Sequence, residues 1–151
     1  MGFLDDLCEL LLPKQYGVVS VTKRGETVKS KAEKLIADYF YDKGIEYKYE
    51  PTVEAHVWWV FNEKLGTPDF YLPNHDVYVE YWGLVDIVPG YYRKVMRQKM
   101  YRYRKHGIRF ISLYPEDLRN LDQIFPRRLA RDFIMKDYAV PQLSALTLAY
   151  K

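Results

Sequence analysis

Residues 66–83 read GTPDFYLPNHDVYVEYWG. Two short runs within them, Asp69-Phe70-Tyr71-Leu72 and Val77-Tyr78-Val79-Glu80-Tyr81-Trp82, are rich in residues that favour strands. Between the runs, Pro73-Asn74-His75-Asp76 supplies turn chemistry, so the stretch predicts two strands joined as a hairpin. Asp69 and Glu80 are the only carboxylates inside the runs. One reading has Asp69 capping a turn and Glu80 paired with a surface Lys or Arg. Against it, Glu80 interrupts an otherwise apolar run, and a carboxylate desolvated among aromatic neighbours is costly unless something compensates it. Two acids on adjacent strands repel one another and together favour a divalent cation. Oxygen-only ligation, in a chain whose single cysteine is Cys8, points to Mg²⁺, with Mn²⁺ able to substitute.

Outward toward the N-terminus, Ala32, Leu35, Ile36, Tyr39 and Phe40 form a helical stripe that predicts a helix over 30–43, closed by Gly44 in the left-handed conformation. Ser30 and Glu33 stand at capping-box spacing. Residues 45–50 alternate Ile, Tyr, Tyr with Glu, Lys, Glu and predict an amphipathic strand stopped by Pro51. The aromatic run 53–62, with Trp58 and Trp59, predicts an added strand or short hairpin, and His56 within it is a packing or surface residue.

Beyond Gly83 a loop leads to a helix over 91–106, whose apolar stripe is Tyr92, Val95, Met96, Met100 and Tyr103. Lys99 falls within that stripe and is the cation predicted to face the two carboxylates, with Lys94 in reserve. Its bland alternative is a packed stem that carries its ammonium out to solvent. Residues 108–114 predict an interior strand. A helix starts at Pro115, Pro126 breaks or kinks it, and Leu129, Phe133 and Ile134 carry a further helix.

The order helix, strand, hairpin, helix, strand, helices predicts an α/β fold with a mixed central sheet flanked by helices. With 151 residues, of which 48% are hydrophobic, the chain suffices for one domain over 1–151 with its core over about 30–125. A helix at 2–12 and a tail at 126–151 are additions, the former docking on the body or on a second copy of the chain as a homodimer contact. No run is long and apolar enough to span a membrane, and Asp5, Asp6 and Glu9 stand where a secretory leader needs positive charge. A cytoplasmic protein without a membrane partner is the expectation.

Pro68-Asp69, an eleven-residue step, and then Glu80-Tyr81-Trp82 resemble the core of the PD-(D/E)xK nuclease superfamily, in the variant whose lysine comes from the following helix. The resemblance implies an αβββαβ restriction-endonuclease-like core and metal-dependent DNA cleavage. It implies Asp69 and Glu80 as Mg²⁺ ligands, with the Tyr81 carbonyl as a further ligand. It gives Glu33, in a Ser-x-x-Glu on the first helix, a place at the metal in competition with its capping role. Lys99 would then orient the attacking water. From Arg93 to Arg109 there are eight Lys or Arg and no Asp or Glu, so Arg93, Lys94, Arg97, Arg102 and Arg104 are the expected phosphate contacts. Such contacts carry no sequence information, which predicts selection of branched, flapped or ended DNA by shape, with RNA also open. Two alternatives stand beside this: a catalytically inactive nucleic-acid-binding module of the same fold, and an assembly subunit.

Overall fold

The computed structural model describes residues 18–58, 61–85 and 89–139. The helix expected at 2–12, Trp59, part of the loop before residue 89 and most of the C-terminal tail lie outside the described residues. The fold is mixed α/β, and the chain divides into two units between Ile45 and Glu46.

In the first unit, β1 (Ser20–Val21) and β2 (Thr27–Val28) pair antiparallel across a turn in which Gly25 donates its N–H to the Thr22 carbonyl. Helix α1 (Lys31–Asp42) follows. Its N-terminus is capped by Ser30, whose Oγ accepts from the Glu33 N–H at 3.1 Å. Its C-terminus closes with Gly44 at φ 65°, where Gly44 donates to the Tyr41 carbonyl and Ile45 to that of Phe40. That pair of bonds is a Schellman closure, which needs a residue tolerant of the left-handed region. The buried face is Ile36, Ala37 and Phe40, while Leu35 is exposed. The expected stripe is therefore turned toward Ala37, a residue whose small side chain weighs little in an apolar pattern yet lets a helix approach its neighbours closely.

The second unit is organised by a four-stranded sheet in the order β3 (Lys48–Tyr49), β6 (Phe70–Leu72), β7 (Val77–Tyr81), β8 (Phe110–Leu113). The first two pairings are antiparallel and β7 with β8 is parallel, so the sheet is mixed. A parallel neighbour requires a crossover, and α2 (Pro89–Lys105) supplies it. Strands β4 (Val53–Trp58) and β5 (Phe61–Gly66) form a separate antiparallel hairpin inserted before β6. The strand expected over 45–50 shrinks to Lys48 and Tyr49: Ile45 is taken up in closing the helix, its N–H bonding the Phe40 carbonyl, and Glu50 turns to φ 46° while its N–H still bonds the Asp69 carbonyl.

Phe70, Leu72, Val77, Val79, Ile111 and Leu113 are buried on one face of the sheet, as the period of two requires. On the opposite face the Tyr103 ring from α2 meets Phe110 at 5.4 Å and packs with Val53 and Leu65 of the hairpin. After β8 a 3-10 turn (Pro115–Asn120) leads into α3 (Leu121–Ala139). Of the break or kink expected at Pro126, the break does not occur, since α3 runs through it. The ring removes only the bond to the Asp122 carbonyl, and buried Leu121 and Phe125 before it, with Arg128 paired to Asp117 after it, hold the segment in register. Among the described residues no helix is long and apolar enough to cross a membrane.

Candidate functional site

Asp69 stands between Pro68 and the first residue of β6, and its carbonyl accepts from the Glu50 N–H at 2.8 Å, which ties it to the β3 side. Because Phe70 is paired with Val79, the next antiparallel step sets Asp69 across from Glu80, on the same face of the sheet. The two acids are thus neighbours on adjacent strands. Asp69 Oδ2 accepts from the Tyr81 N–H at 2.6 Å, a bond that fixes its side chain against β7.

Glu80 lies between β6 and β8, with Ser112 opposite it, and is 2% exposed. Burial pushes its carboxyl above the usual range, and the Lys99 ammonium and the Tyr103 hydroxyl oppose that rise. Lys99 Nζ is 2.5 Å from Glu80 Oε1, and the Tyr103 hydroxyl donates to the same oxygen at 2.9 Å. Lys99 also donates to the Thr67 carbonyl at 2.9 Å and lies 5.8 Å from the ring centres of Trp82 and Tyr103. Its stem passes so close to Gly66 that an added Cβ there would be 3.3 Å from Lys99 Cε and 3.3 Å from the Tyr103 hydroxyl oxygen.

Comparison with protein-family models, curated proteins and solved structures finds no match.

The chemistry of the cluster follows from its charges. Burial, and then Asp69 and Glu80, hold the Tyr92 hydroxyl well above its ordinary range; burial and Glu80 do the same to Tyr103. Both phenols therefore stay protonated; Tyr103 donates to Glu80, and the Tyr92 oxygen accepts from the Leu84 backbone N–H. Among the described residues, Ser112 Oγ, on the position paired with Glu80, and Trp82 Nε1 are buried without a hydrogen-bond partner. Such groups cost about 1–3 kcal/mol each and concentrate where structure serves something other than stability. Asp69 and Glu80 present oxygen ligands only. Among the described residues no group of three His, Cys, Asp or Glu side chains forms. One or two carboxylates, with waters and substrate phosphates completing the shell, is how proteins commonly hold Mg²⁺, so the donor set fits that ion.

Within the second unit the structure brings Asp69, Glu80 and Lys99 together. Glu33 belongs to the first unit, where its Oε2 accepts from the Lys29 N–H at 2.8 Å. Tyr81 meets Asp69 through its N–H. Lys94 is exposed, as are Arg93, Arg97, Arg102 and Arg104, with Arg97 Nε donating to the Arg93 carbonyl at 3.2 Å. These cations do not share one face. At about 100° per residue, Arg93, Arg97 and Arg104 lie on one flank of α2 and Arg102 on the other, with Lys105 near it. Tyr92, Tyr103 and the Thr67 carbonyl are the site partners that sequence reading counted as core or not at all. The available signal was Tyr103 at four residues and Tyr92 at seven from Lys99, on the same helical line.

Proposed function

We propose that this chain is a metal-dependent DNA endonuclease of the PD-(D/E)xK kind, acting on branched, flapped or ended substrates. The observation that carries the reading is the Asp69–Glu80 pair, set across one antiparallel step with a lysine ammonium from the crossover helix at the buried acid. The order α1, β3, β6, β7, α2, β8, interrupted by the β4–β5 hairpin, supports it as well.

Asp69 and Glu80 would hold Mg²⁺ or Mn²⁺. When bound, such an ion supplies charge stabilisation at the phosphate and a more acidic water. The protein's own part is positioning. The Tyr81 N–H fixes Asp69, the Tyr103 hydroxyl fixes Glu80, and the Thr67 carbonyl fixes the ammonium of Lys99. Lys99 would orient a water and offset negative charge on a phosphate oxygen. The exposed arginines of α2 hold backbone on either side without reading bases.

The test is incubation of branched and linear DNA with Mg²⁺ and then with EDTA, using the wild type and Asp69→Asn. Cleavage that needs the metal and Asp69 supports the reading; cleavage that persists in EDTA or survives Asp69→Asn ends it. A second reading, an inactive nucleic-acid-binding module, is favoured by one observation: the Lys99 ammonium already neutralises Glu80. In that case wild type cuts neither DNA, and Asp69→Asn leaves affinity unchanged.

A further inference from the structure

On the β5 side of α2 lies an open hollow of about 520 Å³, lined among others by Leu65, Lys99, Tyr101, Arg102, Lys105 and His106. Among the described residues no carboxylate lines it. Leu65, 2% exposed, lies beneath it, Arg102 and Lys105 are exposed cations among its lining, and Tyr101 is 66% exposed. We infer that this hollow is a binding site for an unpaired nucleotide of a nucleic-acid strand, its phosphate held by Arg102 and Lys105 and its base stacked on Tyr101. The inference rests on the nucleic-acid reading of the neighbouring carboxylate site.

Three features select this occupant. The volume falls within the range of small-molecule pockets and accommodates a whole nucleotide, where a phosphate alone would need far less. Cations with no acid among the described lining residues suit a phosphate, and guanidinium with ammonium allows one forked and one point contact. A largely exposed tyrosine offers a stacking surface that any base can use. The bases of a duplex are committed to one another and cannot enter, so the hollow discriminates in favour of single-stranded or frayed segments. Lys99 joins the two places: its stem lines the hollow and its ammonium is at Glu80. A nucleotide bound there would be anchored beside the carboxylate pair.

The experiment measures fluorescence anisotropy of the full chain with a short labelled single strand and with the matching duplex, in EDTA so that nothing is cut. Tyr101→Ala is expected to weaken single-strand binding about tenfold and duplex binding less than about twofold. Arg102→Ala/Lys105→Ala is expected to weaken it about tenfold and to lower the salt dependence by about 0.7, for the one phosphate that both cations hold. Lys48→Ala/Arg119→Ala, removing the same charge from exposed positions elsewhere in the unit, should stay within about twofold. The inference is overturned if Tyr101→Ala leaves single-strand binding intact, or if both charge-removing pairs lose equally. It is also overturned if inorganic phosphate displaces the strand independently of Tyr101, which would make the hollow a simple anion pocket. Binding in EDTA is independent of cleavage, so failure here leaves the endonuclease reading to its own assay.

Discussion

Lys99 reaches Glu80 from the crossover helix, nineteen positions further along the chain, and its ammonium lies 2.5 Å from a carboxylate whose side chain is 3% exposed. The lysine side chain is 22% exposed, so the two partners are unequally desolvated. Removing the cation strands a buried charge, whereas removing the acid leaves an ammonium that can turn to water. Lys99→Met is therefore expected to cost about 3–5 kcal/mol in urea unfolding and Glu80→Gln less. The double variant should recover most of the Lys99→Met loss. Additive losses would show that the two groups do not act as a pair.

Asp69→Asn separates structure from chemistry. An amide oxygen can still accept the Tyr81 N–H that Asp69 Oδ2 accepts at 2.6 Å, so the hairpin of β6 and β7 should lose less than about 1 kcal/mol. The charge is gone, and metal-dependent cleavage should fall by about 10²–10³. Thermal unfolding and a cleavage time course on the same preparation check both halves. A variant that cuts normally removes Asp69 from the site.

The elements nearest the acids are the most legible in the sequence, and physical reasons say why. Phe70, Leu72, Val77 and Val79 alternate with polar or half-buried residues around a turn rich in Pro, Asn and Asp, so strand, register and face come from one pattern. Lys99 is legible because helical periodicity alone puts it on the line of Tyr92 and Tyr103. What escapes is set by tertiary packing. Leu35 outranks Ala37 in hydrophobicity, yet the fold buries the smaller residue. Pro126 reads as a break because its neighbours' anchoring by Leu121, Phe125 and Arg128 is non-local. The two flanks of the basic helix are invisible until β5 is seen to pass along one of them.

Gly66 is the point where the hairpin hands over to the acid-bearing strand, and its φ of 152° lies in a region that side chains rarely enter. A Cβ there would press on both Lys99 Cε and the Tyr103 hydroxyl oxygen at 3.3 Å. Gly66→Ala should cost about 1–3 kcal/mol through backbone strain and push both partners away from Glu80 Oε1. Cleavage should fall with stability, although no charged group has been altered. Full activity in a Gly66→Ala protein would mean that the positions of Lys99 and Tyr103 are not needed for the reaction.

Asp117 and Arg128 supply a control outside the carboxylate pair, with Arg128 Nη1 also donating to the carbonyl of Ser112, the residue paired with Glu80. Arg128 is forked onto Asp117, with Nη2 to Oδ1 at 2.7 Å and Nη1 to Oδ2 at 2.6 Å, while Asp117 Oδ2 also accepts from the Tyr114 N–H at 2.8 Å. Asp117 is 4% exposed, so Arg128→Ala leaves a buried charge and should cost about 3 kcal/mol or more in urea unfolding. Arg128→Lys restores the charge without the fork and should recover only part of that loss. Nucleic-acid affinity measured well below the unfolding transition should be unchanged in both. A loss of affinity without a loss of stability would assign Arg128 a contact with the ligand.

Tyr92 and Tyr103 make the fold sensitive to alkali. In the unfolded chain a tyrosine ionises near pH 10, while burial and the neighbouring carboxylates raise both hydroxyls well above that in the folded chain. Their contribution to stability is therefore fully present below about pH 10 and is lost as pH rises beyond it. The decline is about 1.4 kcal/mol per pH unit for each residue while the folded form keeps its proton. Tyr103→Phe should remove one share of that slope, and at neutral pH it should cost about 1–2 kcal/mol through the lost bond to Glu80. Urea midpoints at neutral pH and above about pH 10 give both quantities. An unchanged alkaline slope in Tyr103→Phe would mean that the phenol ionises freely in the folded protein and is not held by Glu80.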